Sequence, residues 1–135
     1  MFIVALLLAL STPNSGPSSG NEAEWRRQFK TVSIMRSVAE LIDQFREDHA
    51  GHVPESLDAL PSLREQPHFG KDGWNRSLYY YSTGSTYVIA SFGRSGRPDR
   101  QESTPGGLTT AQNFEDDIVM VNGTFAQTPF NIDPN

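Results

Sequence analysis

From Trp25 onward the apolar positions recur at three- and four-residue steps: Trp25, Phe29, Val32, Met35, Ala39, Ile42 and Phe45, with Ile34, Val38 and Leu41 widening the stripe. Arg26, Arg27, Lys30, Glu40, Asp43 and Glu47 fill the opposite face. That period predicts one amphipathic helix of about seven turns. Asn21 with Glu24 three residues later supplies a capping pair at its start, and Gly51 supplies the stop at its end.

The pattern then changes. Val53-Pro54 turns the chain, and Glu55 to Leu60 reads as one short helical turn before Pro61. Two β-prone runs follow, Leu78 to Tyr81 and Thr86 to Phe92, separated by the hairpin signal Ser82-Thr83-Gly84-Ser85. A third strand, Ile118 to Val121, leads through Asn122-Gly123 into Thr124-Phe125. Asn-Gly between apolar residues marks a tight hairpin, because both central positions need positive φ. The expected fold class is α+β, with one long N-terminal amphipathic helix packed on a small antiparallel sheet. A long acidic loop, Gly93 to Asp117, separates strands two and three. Loops of this length (about 25 residues) are commonly functional or disordered.

Before the helix, Phe2 to Leu10 is an unbroken apolar run. It is far shorter than the roughly 20 residues a spanning helix needs, and no positive residue precedes it. Two readings stay open, a signal peptide or the tail of a longer hydrophobic helix, and both imply export. Ser11 to Gly20 holds only Ser, Thr, Pro, Asn and Gly and reads as a flexible linker. The chain thus divides into residues 1–20, an apolar segment with a linker, and one globular domain over 21–135. The 135 residues leave room for a single core.

Composition changes this picture mainly by exclusion. The net charge of -5, with scattered basic residues, gives no general attraction for nucleic acid or for an anionic membrane surface. The absence of cysteine removes disulfides, thiolate catalysis and Cys-ligated zinc. Gly93-Arg94-Ser95-Gly96 lacks the spacing of a hydrolase nucleophile elbow, and no His-Asp pair is arranged around Ser95. Asp48, His49 and His52 lie close in sequence, but the break at Gly51 separates their faces. No convergent catalytic set emerges, so a non-enzymatic role is expected.

From about Lys30 onward the order of motifs resembles the major pseudopilin of type II secretion systems, within the wider type IV pilin-like group. Met35-Arg36-Ser37 through Phe45-Arg46-Glu47-Asp48-His49, then His52-Val53-Pro54 and Leu57-Asp58-Ala59-Leu60, resembles the family's helix exit and turn. Asp72-Gly73-Trp74-Asn75 resembles its Asp-x-Trp-Gly turn. Ser91-Phe92-Gly93-Arg94-Ser95-Gly96 resembles its Ser-x-Gly-x-Asp-Gly loop, and Glu115-Asp116-Asp117-Ile118 the acidic segment that closes it. The departures are equally specific. The family's Gly-Phe-Thr-Leu-Ile-Glu processing motif is absent, Asn75-Arg76-Ser77 replaces its Gly and Asn-Pro, and Ser95 stands in place of its loop Asp.

The resemblance implies a polymerising structural subunit of the secretion pseudopilus, partnered by identical or related subunits and the secretion machinery. Its place would be the periplasm or the inner membrane of a Gram-negative bacterium, with membrane contact only through an N-terminal segment. It also implies a calcium ion in the loop. Calcium takes six to eight oxygen ligands, and the expected metal set is Asp117 and Glu115, with Ser95 or Asp99 contributing from the other end. Gly93 and Gly96 would let the loop aim carbonyls inward. The competing reading is a solvated acidic turn, with Arg94, Arg97 and Arg100 neutralising the acids in place of an ion. The competing function is an exported soluble binding module that holds a peptide or glycan on the Tyr-rich sheet.

Overall fold

A computed structural model of the chain describes residues 19–98, 109–110, 114 and 117–128. The described chain opens with helix α1 (Ser19–Asp48), 30 residues and about 45 Å long. A 3-10 turn (Leu57–Ala59), a short helix α2 (Pro61–Glu65) and a second 3-10 turn (Pro67–Gly70) follow. The strands are β1 (Tyr79–Ser82), β2 (Tyr87–Ser91), β3 (Thr109–Thr110), β4 (Ile118–Val121) and β5 (Thr124–Thr128). The fold is α+β: one long helix and a sheet in the order β1-β2-β4-β5-β3. Its four main strands are antiparallel, and β3 adds two residues parallel to β5.

The helix begins two residues before the expected cap, so Asn21 lies within its first turn rather than ahead of it. It ends where glycine permits: Ala50 and Gly51 take φ of 56° and 88°, and the Gly51 N–H returns to the Arg46 carbonyl at 2.9 Å. Pro61 starts a helix instead of stopping one. It occupies the first turn of α2, where a missing N–H costs nothing. Asn122 and Gly123 both adopt positive φ, 51° and 87°, and close the β4–β5 hairpin. The strand β3 inside the long loop is a departure from the sequence reading, since two threonines carry no pattern of their own.

The core is apolar and lies under the C-terminal half of α1. Met35, Val38 and Ile42 are fully buried there against Tyr87, Ile89, Ile118 and Met120 of the sheet, with Val53, Leu60, Leu63 and Leu78 closing the side. Tyr80 packs at its margin and donates its hydroxyl to the Pro54 carbonyl at 2.6 Å, and the Val53 N–H reaches the Gly84 carbonyl at 2.9 Å. Burial, helped by the nearby Asp43 carboxylate, pushes the Tyr87 hydroxyl up to about 12. Among the described residues, no helix is long and apolar enough to cross a membrane.

Candidate functional site

Toward its N-terminus the same helix face turns polar. Glu24, Gln28 and Thr31 precede Met35, Val38 and Ile42 at alternating steps of four and three, and they are 7%, 0% and 0% exposed. The buried stripe is therefore continuous in position but changes chemistry at Thr31. Phe29, which the sequence pattern places in that stripe, is 55% exposed. One residue past Gln28 it is rotated by about 100° from the buried face, and it packs sideways on Trp25, with ring centroids 6.4 Å apart. Trp25 in turn meets Phe114 edge-on at 5.6 Å.

The polar face receives the Asp72-Gly73-Trp74 turn. Asp72, 2% exposed, accepts the Trp74 and Arg76 N–H groups on Oδ1 at 2.9 and 3.0 Å. Its backbone N–H bonds the Arg76 carbonyl at 2.8 Å. An Asx turn of this kind fixes its own backbone. The turn then docks on α1 through two bonds: Gly73 N–H to Thr31 Oγ1 at 2.8 Å and Trp74 Nε1 to Glu24 Oε2 at 2.9 Å. Contact with the helix is so close that a Cβ on Gly73 would lie 2.0 Å from the Arg27 carbonyl oxygen. Glycine is required there by proximity alone.

The same carboxylate reaches the sheet. Asp72 Oδ2 accepts the Ser91 hydroxyl at 2.7 Å, at the end of β2, and Ser91 Oγ accepts the Gly93 N–H at 3.3 Å. Arg76, leaving the turn, donates from Nη1 to the carbonyls of Gly93 and Arg94 at 3.1 and 3.0 Å. The Arg94 N–H meets the Phe114 carbonyl at 2.8 Å, which joins the start of the long loop to a residue near its end. Helix, turn, strand end and loop are thus linked by one run of hydrogen bonds. The acceptor oxygens of Asp72 and Glu24 are committed to backbone, Ser91, Arg27 and Trp74, so the arrangement positions chain segments.

Of the four expected metal ligands, Ser95 and Asp117 are described; Asp99 and Glu115 lie outside the described residues, as does Arg100. Asp117 is 8% exposed immediately before β4, and its carbonyl accepts from Gln127 Nε2 at 2.6 Å. Ser95 is exposed, and its Oγ closes a local turn, 3.3 Å from the Phe92 and Arg97 carbonyls and accepting the Arg97 N–H at 3.2 Å. Gly93 and Gly96 do take positive φ, 64° and 70°. However, the carbonyls of Gly93 and Arg94 face a guanidinium, and a second cation placed on them would meet that charge at short range. At the start of the loop these two carbonyls are already engaged by Arg76. Among the described residues no group of three or more His, Cys, Asp or Glu side chains is placed to hold a metal.

Sequence reasoning picked out the Asp72 turn and the Gly93–Gly96 loop separately, but not the Arg76 side chain that connects them. It missed Glu24, Gln28 and Thr31 as buried positions. The continuing step of four and three residues through Glu24, Gln28, Thr31 and Met35 was the signal available. Comparisons with family models, with curated proteins and with solved structures find no match for this chain.

Proposed function

We propose that this domain is a non-enzymatic structural subunit of, or a relative of, the type II secretion pseudopilus, exported and packed against identical or related subunits. The observation that carries the reading is one 30-residue helix laid on an antiparallel sheet, with the motifs running in order along the chain from Met35 to Asp117. The aromatic flank of the helix adds support: Phe29 is 55% exposed beside the exposed Arg26 and Lys30, a surface suited to a neighbouring subunit. The chain has no cysteine, so introduced thiols report contacts unambiguously. Arg26→Cys and Lys30→Cys variants, each with a single thiol and expressed in the host that carries the secretion machinery, should give disulfide-linked dimers. Disulfide-linked dimers absent for both variants while the domain stays folded contradict the reading.

One observation favours the alternative, an exported module holding a peptide or glycan. Tyr79 and Tyr81 are 47% and 55% exposed on the sheet face away from α1. They stand opposite Ala90 and Val88, which in turn face Val119 and Val121. Absent dimers combined with retention on a peptide or glycan array, lost in a Tyr79→Ala/Tyr81→Ala double variant, would select this module.

A further inference from the structure

We propose that the Arg76 guanidinium is the resident cation of the loop that leaves β2, holding the start of that loop in place without a divalent metal. Arg76 is delivered by a turn whose geometry is already fixed, since Asp72 binds its N–H and its carbonyl at 3.0 and 2.8 Å. Its Nη1 then serves two successive carbonyls, Gly93 at 3.1 Å and Arg94 at 3.0 Å. Charged donors on neutral acceptors make stronger bonds than neutral donors do.

The loop is shaped around the side chain. Gly96 has φ of 70°, and a Cβ built there would lie 2.6 Å from Cζ, 2.7 Å from Nε and 2.8 Å from Nη1 of Arg76. Any residue other than glycine would push the guanidinium off its carbonyls. The bonds also close a ring: Asp72 holds Ser91, Ser91 Oγ holds the Gly93 N–H, the Gly93 carbonyl holds Arg76, and Arg76 is held by Asp72. Each member fixes the next, so the loop start is anchored through a donor and an acceptor of Gly93 together. A bound divalent ion would serve those same carbonyls, but here the positive charge arrives covalently attached and needs no external supply. The inference stands independently of whether the domain polymerises.

The test is limited trypsin digestion of the full chain at the Arg94–Ser95 bond, with millimolar calcium or with chelator, followed by mass spectrometry. Wild type should be cut slowly and at the same rate in both conditions. Arg76→Met should be cut about tenfold faster in both, the loss expected for one charged hydrogen-bonding group, while circular dichroism shows the fold intact. Gly96→Ala should reproduce the faster cutting although it keeps Arg76, and Arg76→Lys should restore protection only in part. Wild-type cutting that speeds up in chelator and slows in calcium overturns the proposal. So does an Arg76→Met chain cut as slowly as wild type.

Discussion

The two halves of α1 bury the same face by opposite means. In the C-terminal half Met35, Val38 and Ile42 meet Tyr87, Ile89 and Met120, an interface that is strong but indifferent to small shifts, because dispersion and water exclusion have no direction. In the N-terminal half Glu24 and Thr31 each receive one named donor from the Asp72-Gly73-Trp74 turn. Hydrogen bonds add little net stability, about 1 kcal/mol each, but cost more when left unmade. The difference separates two tasks along one helix: the apolar half supplies the cohesion, and the polar half sets where the turn, and through Arg76 the loop, must sit.

If that division holds, mutations at the two ends should differ in size and in reach. Ile42→Ala, in the apolar half, should cost about 3 kcal/mol in urea unfolding through lost burial and a residual cavity. A loss below about 1 kcal/mol would mean the core is not concentrated there. Asp72→Ala removes the acceptor of three hydrogen bonds and should cost about 2 kcal/mol, with protease sensitivity appearing at the loop before the strands. Equal sensitivity of both would dissolve the comparison.

A smaller effect sharpens the polar half. Both amide atoms of Gln28 are buried without a partner among the described residues. Gln28→Met should therefore be neutral or stabilising by up to about 1 kcal/mol; clear destabilisation would assign that amide a hydrogen-bonding role in the junction.

The last effect is absent at neutral pH and is confined to alkaline pH and to the apolar half. The folded chain keeps the Tyr87 proton to about 12 against an ordinary value of 10.0. Above pH 10 the unfolded state ionises first, so wild type loses stability between about pH 10 and 12 and nothing below. Tyr87→Phe should lose less over that window and, because the buried hydroxyl has no partner among the described residues, should match wild type at neutral pH. Parallel pH profiles for the two chains would remove the assigned cause.

Much of the scaffold was legible because its signals are local. The helix follows from a repeat that runs through several turns, Gly51 and Asn122-Gly123 follow from positive φ, and the three main strand runs follow from β-prone composition. The site was less legible because its residues are polar and distant in sequence. Thr31 and Gly73 are 42 residues apart, and Glu24 and Trp74 are 50 apart, so no periodicity links them. Polar residues at buried positions look like solvent positions until the partner is known; the helix pattern accordingly took Phe29 for core and passed over Gln28. Arg76 sits in a turn with no repeat of its own, and only the fold brings it to Gly96.

Native-state hydrogen exchange tests the division between the two halves most directly. The Gly73, Trp74, Arg76 and Gly93 amides, which bond Thr31, Asp72 and Ser91 side chains, should open together at a lower free energy than the paired strand amides around Ile89 and Met120. Asp72→Ala should erase the first group's protection and leave the second nearly unchanged. Exchange of both groups through one common opening, shifted equally by Asp72→Ala, would contradict the account.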